Sequence, residues 1–135
     1  MKVEIKLLRP RAAFPKYGKD LDVGADIFLP EAVFLQPGMN KVPLGISVNI
    51  PQGFEGQLRP RGGGVLRGIA IHNPPIDPGY TGEIHAMVEN ITTEAIYCAG
   101  SERICQLVIA PFVRADFTDK IHNTRGDNGF NSTGK

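Results

Sequence analysis

The sequence predicts an all-β chain of short strands, one sandwich or barrel, from three observations: apolar residues spaced at period two, closely set turn signals, and no room for a long helix. From Lys41 to Ile50, Val42, Leu44, Ile46, Val48 and Ile50 fall on one side, and Lys41, Pro43, Gly45, Ser47 and Asn49 on the other. Glu83 to Glu89 repeats this, with Ile84, Ala86 and Val88 facing in and Glu83, His85, Met87 and Glu89 facing out. Arg103 to Val113 is apolar on both faces in its middle, which predicts a central strand. Turn signals separate the runs at Pro37-Gly38, Pro51-Gln-Gly53, Gly62-Gly-Gly64, Asn73-Pro-Pro75, Pro78-Gly79 and Ala99-Gly100. With 11 prolines and 16 glycines in 135 residues, no window supports a long helix.

This length predicts one domain with a real core. The composition turns from strand-like to loop-like after Asp119, which predicts a body over residues 1–119 and a mobile C-terminal arm over 120–135. Charged residues make up 21% and the formal net charge is +1, so no field exists to hold a nucleic-acid backbone or an anionic membrane. The N-terminal run Met1 to Leu8 alternates charged and apolar residues and lacks the pattern of a signal peptide. Cys98 and Cys105 are too few for a disulfide framework and read as free thiols, which predicts a cytoplasmic protein. His72, His85 and His122 lack metal-ligand spacing.

Five segments carry polar groups that strands do not need. Asp22 to Ile27 sets Asp26 one step into an apolar strand. Arg59 to Gly64 joins two guanidiniums to three glycines and reads as a loop whose N–H groups suit phosphate oxygens. Asn73 to Gly82 reads as a hairpin tip stiffened by three prolines and presenting Asp77 and Tyr80, a template for a flat ligand. Ser101 to Leu107 puts Gln106 on an apolar strand, where its amide needs a partner. Arg125 to Lys135 combines cationic ends with Gly126, Gly129, Gly134, Ser132, Thr133 and Phe130. Its N–H groups, hydroxyls and guanidinium suit an anion, and its ring suits a base.

In order and spacing, GADI, PRGG, IDPGYTGE, RICQL and RGDNGFNSTG resemble the five motifs of the deoxyuridine triphosphatases, the dUTP pyrophosphatases, from about Asp22 to the C-terminus. The resemblance implies a distorted jelly-roll barrel, assembled as a homotrimer with shared active sites, that hydrolyses dUTP to dUMP and pyrophosphate with Mg²⁺. It implies that Asp77 activates a water for attack on the α-phosphorus and that Tyr80 packs under the deoxyribose and excludes a 2′-hydroxyl. Ile76, within the same hairpin motif, would also contact the substrate. Arg61, Gly62 and Gly63 would meet the phosphates. Asp26 and Gln106 would stand near metal and phosphates through water. Phe130 would cover the uracil, with Arg125, Ser132 and Thr133 closing over the phosphates.

Three positions depart from that pattern. Gly62 stands where the family has a serine, which predicts slower turnover and, with the glycines that follow, a floppier loop. Pro74 replaces a glycine whose backbone reads the uracil edge, which predicts that the Asn73 amide takes over that reading. Ser101 replaces a glycine, with an effect confined to its turn. Two rival readings follow. A dCTP deaminase of the same fold needs a glutamate where this chain has Met87, with Glu89 two residues on. A nucleotide-sensing module, blunted at Gly62, would dock a regulatory protein partner through its arm.

Overall fold

The computed structural model describes residues 1–122 and 125–127. Ten short strands and one helix follow in chain order: β1 (Glu4–Leu7), β2 (Ala25–Phe28), β3 (Val33–Leu35), β4 (Gly38–Pro43), β5 (Ile46–Asn49), β6 (Phe54–Pro60), α1 (Gly62–Arg67), β7 (Ile69–Ile71), β8 (His85–Asn90), β9 (Ile96–Cys98) and β10 (Arg103–Pro111). They form four small antiparallel sheets, ordered β1-β5, β2-β10-β6, β3-β9 and β4-β8-β7. The result is the expected all-β jelly roll, with β10 central between β2 and β6.

The run from Lys41 to Ile50 buries its predicted face completely: Val42, Leu44, Ile46, Val48 and Ile50 are all no more than 3% exposed. It is nevertheless two strands. Gly45 takes φ +73°, a left-handed conformation open to glycine, and the chain swings from pairing with β8 to pairing with β1. Leu44 and Ile46 still bond the backbone of Ile84, so the break stays inside the core. Cys98 and Cys105 are free and buried within that core, where burial pushes the Cys105 thiol up to about 12.

The segment after Arg61 departs from the predicted loop. It forms α1, a helix of 6 residues, despite three consecutive glycines. The cause lies at its C-terminal end. Gly68 caps it at φ +88° with its N–H on Gly64 and Val65 carbonyls, and Arg67 bonds both the Glu102 carboxylate and the Tyr97 carbonyl. Tertiary anchoring outweighs poor helix propensity here.

The strands end at Pro111. Residues 112–122 run without helix or strand, with Val113, Phe117 and Ile121 each at least 88% exposed. The arm expected over 120–135 lies mostly outside the described residues. Among the described residues no helix is long and apolar enough to cross a membrane.

Candidate functional site

Two recesses among the described residues hold most of the predicted site residues and share no lining residue with each other. The first is a cleft of about 520 Å³ lined by the Gly18–Gly24 loop, Asp26, the start of α1 and two β10 side chains, Arg103 and Gln106. Asp26 and Gln106 face each other in register across β2 and β10, which explains why both interrupt apolar strands. Asp26, 8% exposed, holds two guanidiniums at once: Arg61 Nε lies 2.8 Å from Oδ1 and Arg103 Nη1 3.3 Å from Oδ2. Arg103 also lies over the Phe28 ring at 6.0 Å. Gln106 finds its partner in the Pro60 carbonyl, to which Nε2 donates at 2.9 Å. Gly24 is required beneath it, because a Cβ there would stand 2.1 Å from Gln106 Oε1. Lys19, Arg61 and Arg103 outnumber Asp22 and Asp26, so the cleft suits an anion.

The second recess is a slot of about 330 Å³ between the 73–80 segment and β8. Its tip, Asp77-Pro-Gly-Tyr80, is built as a type II turn: proline second, Gly79 third at φ +84°, and Tyr80 N–H donating to the Asp77 carbonyl at 3.2 Å. Asp77 is exposed at this tip. Tyr80 is half exposed and its ring folds over Gly82, where a Cβ would collide with the phenol at 2.4 Å. The slot is anchored on both legs. Ile76 exchanges two backbone hydrogen bonds with Gly56, and Ser47 Oγ donates to the Thr81 carbonyl at 2.6 Å. Glu83 accepts from Arg9 Nε at 2.6 Å and from the Gly45 N–H at 3.0 Å. The hydrogen bond and charge of Arg9, with the Gly45 N–H, hold its carboxyl below the usual carboxylate range.

The predicted residues thus fall into two groups. Asp26, Arg61, Gly62, Gly63 and Gln106 line the cleft, and Asn73, Ile76, Asp77 and Tyr80 line the slot. One of them is engaged otherwise than expected. The Asn73 amide does not project free toward a base: Nδ2 donates to the His85 carbonyl at 2.7 Å and Oδ1 accepts the Met87 N–H at 2.8 Å. β7 ends at Ile71, and this side chain continues its ladder along β8 in place of backbone. Ile76 is 7% exposed and part of the core, so it floors the slot. Arg125 is exposed and outside both linings. Phe130, Ser132 and Thr133 lie outside the described residues.

Several lining residues escaped sequence reasoning. Arg103 opens the RICQL run and pairs with Phe28, two residues beyond Asp26 on β2; Gly24 opens GADI. Lys41 and His85 sit on outward positions of β4 and β8 and Glu83 just ahead of β8, where nothing in the pattern marks a site. Glu89 hydrogen-bonds His72 Nε2 at 2.7 Å and does not line the slot, whereas Met87 does, at the position where deamination would need a glutamate.

A jelly roll with a basic cleft and a rigid, carboxylate-tipped slot defines a protein that receives a ligand with an anionic part and a flat part. The chain belongs to the dUTPase family, whose profile matches residues 11–134. It is 40% identical over 147 residues to the deoxyuridine 5′-triphosphate nucleotidohydrolase of Anaeromyxobacter sp. (strain Fw109-5), covering 100% of both chains. It is 41% identical to the enzyme of that name from Zymomonas mobilis, covering 99% of this chain and 98% of the other. Among solved structures, the Staphylococcus bacteriophage 80alpha dUTPase G164S mutant with dUpNHpp superimposes with a TM-score of 0.87 at 26% identity, covering 99% of each chain.

Proposed function

We propose that the protein hydrolyses dUTP to dUMP and pyrophosphate by attack of water on the α-phosphorus. The observation that carries this reading is the division of labour on one family-member chain: a cationic cleft suited to phosphates and a stiff turn that presents one carboxylate, Asp77, beside a flat slot. A triphosphate repels an incoming nucleophile, so its charge has to be offset while the water is aligned. Arg61, Arg103 and the open backbone at Gly62 and Gly63 supply the first need. Asp77 supplies the second. It orients a water and takes its proton as the new oxygen–phosphorus bond forms and the bond to the bridging oxygen of pyrophosphate breaks. Tyr80 packs under the deoxyribose and leaves no space for a 2′-hydroxyl. Arg125, Phe130, Ser132 and Thr133 belong to an arm, over 120–135, that closes over base and phosphates.

The donors present fit magnesium carried in on the phosphates. Asp22, Asp26 and the Gln106 amide supply oxygens to the cleft, and among the described residues no three His, Cys, Asp or Glu side chains converge on a metal position. Asp26 keeps lone pairs for water beyond those facing Arg61 and Arg103. When bound with the phosphates, magnesium would supply charge neutralisation there, with Asp26 and Gln106 reaching it through water.

Cleft and slot share no residue, which supports a homotrimer in which each site joins the slot of one copy to the cleft of another. Two free buried thiols support a reducing, cytoplasmic setting. The test is pyrophosphate release from dUTP, dCTP, dTTP and UTP with and without Mg²⁺. Release from dUTP alone is expected. Ammonia from dCTP would return the deaminase reading, and tight dUTP binding without turnover would return the nucleotide-sensing reading with its docked regulatory protein.

A further inference from the structure

Glu83 lies three residues beyond the Asp77–Tyr80 tip and outside the reacting set, yet it is the most heavily engaged side chain of the slot. Its Oε2 accepts both Arg9 Nε and the Gly45 N–H, and Oε1 accepts Arg9 Nη2 at 3.1 Å. These contacts join three separate segments. Arg9 follows β1, Gly45 is the left-handed corner between β4 and β5, and Glu83 leads into β8. The corner is itself crowded: a Cβ on Gly45 would stand 3.0 Å from Ala12 Cβ and 3.2 Å from Pro30 Cγ, so it has little freedom to shift. Leu8 N–H fixes the strap from the other side, donating to the Gly45 carbonyl at 2.8 Å.

From this junction, contacts run directly to the tip. Tyr80 Oη donates to the Glu83 carbonyl at 3.4 Å, its ring covers Gly82, and Tyr80 N–H closes the turn on the Asp77 carbonyl. The anchors on the other leg hold Ile76 and Asn73, ahead of Asp77. On the return leg, Ser47 holds a backbone carbonyl, the Arg9–Glu83 pair supplies a charged grip, and His85 Nδ1 lies 3.2 Å from the Glu83 carbonyl.

We propose that Glu83, clasped by Arg9 and the Gly45 N–H, is a positioning residue that sets where Asp77 and Tyr80 stand, so that the N-terminal strap governs turnover without touching substrate. This rests on Asp77 being the group that activates water. Phosphate binding in the cleft does not pass through the clasp. Loosening it therefore misplaces the reacting geometry more than it weakens binding, and misplacement by about 1 Å can cost on the order of 10²-fold.

The experiment uses the full chain and four variants: Glu83→Ala, Glu83→Gln, Arg9→Met and Arg9→Lys. For each, kcat and KM are measured on dUTP well below the melting temperature, with affinity for a non-hydrolysable imido analogue of dUTP and the dUTP-to-UTP preference. Glu83→Ala and Arg9→Met are expected to lose roughly tenfold in kcat, with KM and analogue affinity within about threefold, and to relax the preference for the deoxyribose. Glu83→Gln and Arg9→Lys keep part of the hydrogen bonding and are expected to stay within about threefold of wild type. Should Glu83→Ala fail to fold, Arg9→Met carries the same expectation. Unchanged kcat and sugar preference in folded variants, with only the melting temperature lowered, overturns the proposal. A wild-type chain that releases no pyrophosphate from dUTP overturns the proposed function first, and the clasp's role with it.

Discussion

In the cleft, position is set mainly by charge: Asp26 stands between Arg61 and Arg103, and a Cβ added at Gly62 or Gly63 beside them would meet nothing within 4 Å. In the slot, position is set by backbone: a proline-led turn, a two-bond bridge from Ile76 to Gly56, and an asparagine that continues a strand. A triphosphate is long and flexible, and adjustable guanidiniums can follow it. A base, a sugar and one attacking water need fixed walls. The contrast teaches that the protein spends its rigidity where chemistry needs direction and leaves mobility where charge alone suffices.

The largest effect tests the slot's claim to the chemistry. Asp77→Asn should lower kcat about 10²- to 10⁴-fold and leave affinity for a dUTP analogue within a few-fold, as expected when a positioned base is lost. Equal loss of binding and rate would make Asp77 a ligand anchor instead. Arg61→Ala strikes the other half. If each site is assembled from two copies, mixing the two inactive variants and letting subunits exchange should restore up to about a quarter of wild-type activity, the random share of sites with both halves intact. No recovery after verified exchange would place both halves of a site on one chain.

The open space at Gly62 predicts a gain. Gly62 has open space around its missing Cβ and no positive φ, so Gly62→Ser fits without strain. A hydroxyl there adds a donor near the phosphates and should raise kcat by roughly tenfold, toward the 10²-fold that one such donor can supply. An unchanged kcat would show that backbone N–H groups already saturate that position.

The slot's stiffness predicts a loss of a different kind. Asn73→Ala leaves the Met87 N–H and His85 carbonyl without their partner and should cost about 1–3 kcal/mol of stability. The uracil-to-cytosine preference should not move. A lost preference at unchanged stability would show that the amide leaves β8 to read the base.

How much of this was legible follows the same division. Period two exposed the buried face from Val42 to Ile50 because burial on one side of a strand needs that alternation, whatever the sheet partner. Gly45 was visible within it only as an outward residue. Its corner depends on a contact with Glu83 some forty positions away, and no local pattern encodes that. The Asp-Pro-Gly-Tyr turn was readable because proline and glycine carry their dihedral demands with them. Helix α1 was not, because Arg67 secures it through Glu102 and Tyr97, a tertiary contact that overrides three glycines. Asn73 was legible as a polar residue with amide chemistry. Its partner was not, since whether an amide meets a ligand or a strand edge depends on where β7 stops.

The smallest effect compares the turn beneath each half. The slot's turn places glycine where φ is positive, at Gly79, whereas the turn that leads into β10 and the cleft places Ser101 at φ +66°. A side chain in that region costs about 1–2 kcal/mol, offset by the greater freedom that glycine has in the unfolded chain. Ser101→Gly should therefore gain up to about 1 kcal/mol, and Gly79→Ala should lose about 1–2 kcal/mol. Both are read from denaturant midpoints at constant slope. Only the second should also lower kcat, because only that turn carries Asp77. If Ser101→Gly changes turnover as well, the cleft depends on its backbone as much as the slot does, and the contrast between charge-set and backbone-set halves does not hold.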